Sequence, residues 1–109
     1  MTEKVSAYLG FCLRAGKVIF GVDDIEGYKK KIYLVIADGS LADNSLKRLL
    51  AASKRLSSPL LTTKEGLLGE LLHRPTVKAI AIKDYNLSAA ILQAAEGQTE
   101  FKFNSGGNN

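Results

Sequence analysis

Hydrophobic positions along the chain alternate between helical spacing and short apolar runs. Apolar residues recur at helical spacing over residues 4–15, and Gly16 follows where a left-handed C-terminal cap is needed. The run "KVIF", residues 17–20, is apolar and β-branched, which predicts a brief strand between Gly16 and Gly21. A second helix is predicted over about residues 22–30, with acids at its start and lysines near its end.

The stretch "IYLVIAD", residues 32–38, is a nearly continuous apolar run. Such a run is typical of a strand covered by helices on both faces, so it is predicted to be the central strand. The remaining predicted elements are a helix over about 42–56, a strand over 59–62, a helix capped by Thr63 and ending near Leu72, a strand over 77–82, and a helix that begins at Asp84 or Asn86 and ends near Ala95.

This alternation of strands and helices predicts an α/β domain three layers thick, with helices on both sides of one sheet. A chain of 109 residues is long enough for one domain with a core and too short for two of ordinary size. Residues 1–96 are assigned to that domain. Residues 97–109 turn polar and glycine-rich, which predicts a flexible tail in which "EFKF", residues 100–103, is a candidate edge strand.

The composition is that of a globular protein. Hydrophobic residues make up 46% of the chain and charged residues 24%, and no window contains the roughly 20 apolar residues of a membrane span. The N-terminus has an acid beside its lysine and no apolar run with a cleavage pattern, so no secretory signal is expected. Cys12 is the only cysteine, which excludes an intramolecular disulfide. These features predict a cytoplasmic protein without a membrane partner.

The charge balance favours a polyanionic partner. Formal net charge is +4 and the pI is about 9.3. Basic residues cluster at 29–31, at 47–48 and at 54–55. These clusters are equally compatible with solvated helix ends and faces, so charge alone does not identify the partner.

Two glycines around the first predicted strand raise the question of a phosphate-binding loop. Gly16 and Gly21 fit G-x-x-x-x-G, but such a loop then needs a lysine and a serine or threonine. Val22 and Asp23 stand there instead, and an acid repels phosphate. The nucleotide-hydrolase interpretation is therefore excluded.

Candidate catalytic and metal-binding side chains are few. His73 is the only histidine, so a two-histidine metal site is excluded, and it is expected to be exposed in a loop. Cys12 is expected to be a small core residue. Asp23, Asp24 and Asp38 lie at helix starts and strand ends, where carboxylates are usually caps. Because no nucleophile, base and oxyanion set can be assembled, we expect no enzyme, no cofactor and no small-molecule substrate.

The order of motifs resembles one known family. "RAGK" at 14–17 is followed by Gly21, by an acid-led helix and by "LVIAD" at 34–38, then by "LLGELL" at 67–72 and "VKAIAI" at 77–82. Over about residues 4–95 this order resembles the L7Ae ribosomal protein family, the kink-turn RNA binders, and is most similar to its small bacterial YlxQ-like members. The resemblance implies an α/β/α sandwich with a small mixed central sheet.

The resemblance also implies where RNA would be read. The family motif G-x-N-E-x-T-K opens the second helix and corresponds here to "GVDDIEG", residues 21–27. Gly21 is kept, and Asp24 replaces the glutamate with a carboxylate that can accept from a guanine donor. Asp23 replaces the asparagine, and Glu26 and Gly27 replace the threonine and lysine. These departures predict either weak kink-turn affinity or a different RNA.

Compensating cations are expected beside this motif. In the family the end of helix one packs beside it, which implies that Arg14 and Lys17, flanking Gly16, contact phosphate. Arg14 can equally complement the helix dipole. Asn44 is expected to bond a base and Lys47 a phosphate, with the alternative that Asp43 or Asn44 simply caps helix three.

The loop "HRPTV", residues 73–77, corresponds to the family's second specificity loop. Arg74 can contact phosphate or stack on a base there, and Pro75 and Val77 offer apolar contact. The complete predicted RNA-binding set is Arg14, Gly16, Lys17, Gly21, Asp23, Asp24, Asn44, Lys47 and Arg74.

The sequence thus predicts a non-enzymatic protein that binds structured RNA, either kink-turn or ribosomal, with a ribosomal or other protein as a further partner. The alternative is a protein-interaction module on the same fold that has lost RNA recognition. In that case Ile19 and Phe20 would form part of an exposed apolar patch.

Overall fold

The computed structural model describes residues 2–104, in which five helices and five strands alternate. The helices are α1 (Glu3–Arg14), α2 (Val22–Gly27), α3 (Asp43–Arg55), α4 (Leu67–Leu72) and α5 (Tyr85–Ala95). The strands are β1 (Val18–Phe20), β2 (Leu34–Ala37), β3 (Leu60–Thr63), β4 (Ala79–Ile82) and β5 (Phe101–Phe103). No helix in this part of the chain is long and apolar enough to cross a membrane.

All five strands form one mixed sheet in the order β1-β4-β2-β3-β5. Strands β2 and β3 are parallel, whereas β4 is antiparallel to both β1 and β2, and β5 is antiparallel to β3. Strand β2 lies third of five and all four of its residues are buried. The prediction of a central strand covered on both faces is therefore confirmed.

The side chains of the sheet alternate between two cores because successive residues of a strand point to opposite faces. Leu34 and Ile36 of β2 pack with α1, α4 and α5 on one face. Val35 and Ala37 pack with α2 and α3 on the other. This arrangement confirms the predicted three-layer α/β fold.

Helix α2 is shorter than the sequence predicts. It ends at Gly27 because Tyr28 has extended backbone angles, φ −72° and ψ 133°. Lysines 29–31 therefore lie beyond the helix, which corrects the prediction that they belong to its last turn.

Thr63 does not cap α4, which corrects another prediction. It belongs to β3, where its hydroxyl donates to Asp38 Oδ1 at 3.1 Å. The residue before the helix is Gly66, in a left-handed conformation with φ 83°. Of the two predicted starts of α5, Asp84 is confirmed, because it caps the helix by accepting a hydrogen bond from the Leu87 N–H.

The candidate edge strand near the C-terminus is confirmed. Phe101–Phe103 pairs with β3, and Phe101 is buried in the core. The sheet thus extends beyond residue 96, into the segment predicted to be a flexible tail. Residues 105–109 of that segment lie outside the described residues.

Candidate nucleic-acid interface

Four segments meet at one end of the sheet, which we call the α2 end. They are Gly21 with the start of α2, loop 38–42, the start of α3, and loop 73–78. Two backbone hydrogen bonds of 2.9 Å join the three neighbouring strands there, from Gly21 N–H to the Ala79 carbonyl and from Asp38 N–H to the Lys78 carbonyl. Gly21, the first residue of the motif 21–27, and loop 73–78 are therefore adjacent, as the resemblance implies.

Gly21 stands at the turn from β1 into α2. Its backbone angles, φ 89° and ψ 151°, fall in a region that is essentially restricted to glycine. A Cβ built at this position would meet no atom within 4 Å. The glycine is therefore required for its conformation, and the surface outside it is open.

The acids of α2 are partly neutralised from α3. Arg48 donates from Nη2 to Asp23 Oδ1 and to Glu26 Oε1, each at 2.6 Å, and from Nε to Glu26 Oε2 at 3.1 Å. The Arg48 hydrogen bonds hold the pKa of Glu26 below its ordinary value. Asp24 is exposed and has no hydrogen bond or ion pair within residues 2–104.

This ion-pair network was missed at the sequence level, where Arg48 was only part of a basic cluster. The sequence does contain one indication of these ion pairs, the spacing of Asp23 and Glu26, because residues three apart share a helix face and can bind one cation together. Nothing in the sequence says that α3 packs against that face.

Asn44 lies near the start of α3. The residue before the helix is Ala42, and no side chain caps it, so the alternative in which Asp43 or Asn44 caps α3 is wrong. Asn44 is exposed, and it lies one turn before Arg48, on the face that packs against α2. Lys47 is exposed on the same helix.

Arg74 reaches the end of β1 from loop 73–78. Its guanidinium carbon lies 5.1 Å from the ring centre of Phe20, the residue before Gly21. The loop closes tightly on α4, because a Cβ at Gly69 would meet the Arg74 carbonyl and Pro75 at 3.0 Å. The loop therefore holds Arg74 beside the start of the motif 21–27.

Loop 38–42 is anchored by the buried carboxylate of Asp38. Its oxygens accept hydrogen bonds from the Ser40 hydroxyl at 2.5 Å and the Thr63 hydroxyl at 3.1 Å. They also accept from the backbone N–H groups of Ser40, Gly66 and Leu68 at 2.9–3.0 Å. One side chain thus ties loop 38–42 to the segment that leads into α4.

The ionisation of Asp38 follows from these contacts. Burial alone raises the pKa of a carboxyl, but the hydrogen bonds donated by Ser40, Gly66 and Leu68 outweigh it and lower the pKa of Asp38 to about 2. The sequence interpretation of Asp38 as a cap at a strand end is close to this role.

Arg14, Gly16 and Lys17 lie at the opposite end of the sheet, which corrects the expectation that the end of helix one packs beside the motif. The Lys17 carbonyl accepts from the Lys83 N–H at 2.9 Å, after β4 has ended. Three residues of extended chain lie between Lys17 and Gly21, so the two are four steps, or about 13 Å, apart. The predicted site is thus divided between two ends.

The two remaining members of that group have local roles. Gly16 has φ 67°, and its N–H donates to the Leu13 carbonyl, which confirms the predicted cap of α1. The Arg14 guanidinium carbon lies 4.9 Å from the ring centre of Phe11 on the same helix.

The apolar residues of β1 line a shallow groove against α2, with a volume of about 490 Å³. Ile19 and Phe20 are half-buried there, and each packs against one of the two cores. Their side chains are therefore less exposed than the protein-interaction hypothesis requires of an apolar contact patch.

Comparison with known proteins bears on the fold. No protein-family model matches the sequence, and no curated protein matches it at a significant level. A solved structure of a protein of unknown function from Bacillus halodurans C is similar, with a TM-score of 0.72 and 21% sequence identity. The similarity covers 83% of this chain and 94% of that chain. At this identity it supports the α/β fold alone.

Proposed function

We propose that the protein binds structured RNA through the α2 end, as a non-catalytic protein of the cytoplasm. The observation that carries this proposal is that Gly21, Arg74 and the first turn of α3 with Asn44 all lie at the α2 end. An open backbone, an amide and a guanidinium are the groups that contact a folded RNA closely, by base edge and by phosphate.

The charge of α2 is compatible with this role. Its acids would repel RNA phosphates, but Arg48 pairs with Asp23 and Glu26 and offsets part of that repulsion. Asp24 is then available to accept from a base donor, such as the amino group of guanine. Lys47 of α3 and Arg74 of loop 73–78 are further exposed cations at this end.

The class of RNA follows from what the motif lacks. Because Gly27 stands where kink-turn binders carry a lysine, one phosphate or base contact is missing. We therefore propose a bent RNA, either a kink-turn bound weakly or a different internal bend in ribosomal RNA. No observation on the described residues favours the protein-interaction alternative over this proposal.

A direct test compares a labelled kink-turn duplex with an unbent duplex of the same length, at low and moderate salt. We expect tighter binding of the bent RNA at both salts. Arg74→Ala should weaken that binding about tenfold, since a stacked or phosphate-bound arginine contributes about 1–2 kcal/mol.

Lys102→Ala is the matched control. Lys102 is also exposed but lies on β5, at the sheet edge farthest from β1, and its loss should leave affinity unchanged. Equal affinity for bent and unbent duplexes would remove the structure-specific claim. Absence of binding at low salt would remove RNA binding altogether.

A further inference from the structure

A pocket lies at the end of the sheet opposite the α2 end, and the proposed interface does not use it. Its volume is about 410 Å³, within the range of pockets that hold small ligands. Its lining includes Lys31, Tyr33, Pro59, Tyr85, Ser88 and Leu92. These residues come from the segment before β2, the segment before β3, and α5.

Two aromatic rings form one wall of this pocket. Tyr33 and Tyr85 meet edge to face, with ring centres 5.6 Å apart and an angle of 75° between the rings. Tyr85 is 65% exposed, although it is a large aromatic residue held by a neighbouring ring. An exposed ring fixed in this way presents a flat surface on which a second ring can stack.

A buried hydroxyl beside these rings has no partner. Ser88 lines the pocket and is 2% exposed, and its Oγ makes no hydrogen bond within residues 2–104. A buried hydroxyl without a partner is unfavourable, because it has lost its hydrogen bonds to water and gained none. A ligand that brings a polar atom to Ser88 would recover part of that cost, which points to a polar ring rather than a hydrocarbon.

One lysine, Lys31, lines the pocket, and further lysines lie at the same end of the sheet. Lys31 Nζ lies 5.4 Å from the ring centre of Tyr33, and Lys83 Nζ lies 5.9 Å from that of Tyr28. We call this surface the lysine end and define it by Lys17, Lys29, Lys30, Lys31, Lys83, Tyr28, Tyr33 and Tyr85.

Few acids oppose these cations. Within segments 14–17, 28–33 and 83–85 every charged side chain is a cation except Asp84. The Asp84 carboxylate is already engaged as the cap of α5, where it accepts from the Leu87 N–H at 2.8 Å. The lysine end therefore has a larger excess of cations over acids than the α2 end, where acids and cations pair.

We propose that the pocket at the lysine end binds one unpaired nucleobase of single-stranded RNA, stacked on Tyr85. Ser88 hydrogen-bonds an edge of the base, and the lysines contact the flanking phosphates. Aromatic rings interleaved with cations are the combination by which proteins hold single strands. The ligand is RNA, as in the proposed function, but this second site uses none of the residues of the α2 end.

The test uses two fluorescein-labelled pentaribonucleotides, one of uridines and one from which all five bases are absent. Both carry the same phosphates, so only the bases distinguish them. The intact protein should bind the uridine strand about tenfold more tightly at moderate salt, because stacking of one base contributes about 1–3 kcal/mol. Equal binding of the two strands would overturn the proposal.

Variants at Tyr85 test the stacking surface. Tyr85→Ala should abolish the preference for the uridine strand, and Tyr85→Phe should retain it because the ring is kept. Phe103→Ala is the matched control, since Phe103 is also an exposed aromatic residue, 47% exposed, and lies on β5. A preference that survives Tyr85→Ala, or that is lost with Phe103→Ala, would contradict the assignment.

The two proposals fail separately. Tyr85→Ala should leave affinity for the bent duplex unchanged, whereas Arg74→Ala should weaken it and leave the pentanucleotide preference intact. If the bent duplex shows no preference while the uridine strand does, only the α2 end loses its role. Tighter binding of an acidic tyrosine-containing peptide than of the uridine strand would replace RNA with a protein partner at the pocket.

Discussion

The two ends of the sheet use their charged residues in different ways. At the α2 end, Arg48 is bound to two carboxylates, Lys78 Nζ donates to the Ser40 hydroxyl at 2.8 Å, and Asp38 accepts from several donors. At the lysine end, Lys31 and Lys83 lie over aromatic rings. At the first end Arg48, Lys78 and Asp38 bond other polar groups of the fold, whereas Lys31 and Lys83 at the second end have no carboxylate partner among the described residues.

This difference changes how a basic sequence should be interpreted. In the sequence, Lys47 with Arg48 and lysines 29–31 are equivalent basic clusters, yet Arg48 is paired with Asp23 and Glu26 in the fold. An internal ion pair has no charge left over for a polyanion, whereas an exposed lysine releases counterions when it meets phosphate. The position of a cation relative to the nearest acid therefore matters more than its count.

The largest expected effect is at Asp38. Asp38→Ala leaves buried N–H groups of Gly66 and Leu68 without an acceptor, and we expect it to lower the free energy of unfolding by about 3–5 kcal/mol. Urea unfolding followed by circular dichroism measures this. Lys31→Ala, at the lysine end, should leave the midpoint unchanged. Equal losses in the two variants would erase the distinction between the ends.

A second prediction concerns pH. The pKa of Asp38 is about 2 in the folded protein against an ordinary value of 3.8, so its carboxylate stabilises the fold above about pH 4. That contribution, about 2 kcal/mol, is lost as the pH falls from about 4 toward 2. Urea unfolding from pH 6 to pH 2.5 should show the loss in the native protein. Asp38→Asn should have a lower free energy of unfolding at pH 6, and that free energy should fall less with pH than in the native protein. Parallel pH curves for the two proteins would contradict the role of the Asp38 carboxylate.

The smallest effect compares the glycines at the two ends of β1. Gly21→Ala should destabilise by about 1–2 kcal/mol, because φ 89° with ψ 151° is restricted to glycine. Gly16→Ala should cost about 1 kcal/mol, since other residues tolerate the left-handed cap somewhat better.

Gly27→Ala provides the control for both glycines. Gly27 ends α2 without a positive φ, and a Cβ there meets nothing within 4 Å, so alanine should be neutral or slightly stabilising. Thermal unfolding of the three variants ranks them. A larger loss at Gly16 than at Gly21 would show that the turn into α2 relaxes.

Much of the fold could be predicted from the sequence, and the errors have local physical causes. Helical spacing in α1 and the start of α5 at Asp84, one of its two predicted starts, depend on residues a few positions apart, and both are confirmed. The end of α2 was placed too late because Tyr28 continues the pattern while its backbone is extended. Thr63 is a good capping residue, but its hydroxyl is used by Asp38 in the fold.

The candidate site was predicted less well. Gly21, Asn44 and Arg74 meet at one end, but Arg14 and Lys17 do not join them. Arg14 and Lys17 are separated from the other residues by the course of β1. A strand of three residues between Lys17 and Gly21 carries the chain from one end of the sheet to the other, and the order of motifs along the sequence does not record this.

The sequence by itself determined the alternation of elements, the buried central strand and the glycine-bounded turns on either side of β1. These follow from side-chain periodicity and backbone preference, which act over a few residues. Only the tertiary structure decided that Arg48 neutralises α2, that Asp38 joins two loops, and that Tyr33, Ser88 and Tyr85 enclose a pocket. Those contacts join residues far apart in the chain, because β4 inserts between β1 and β2 and so determines which segments share an end of the sheet.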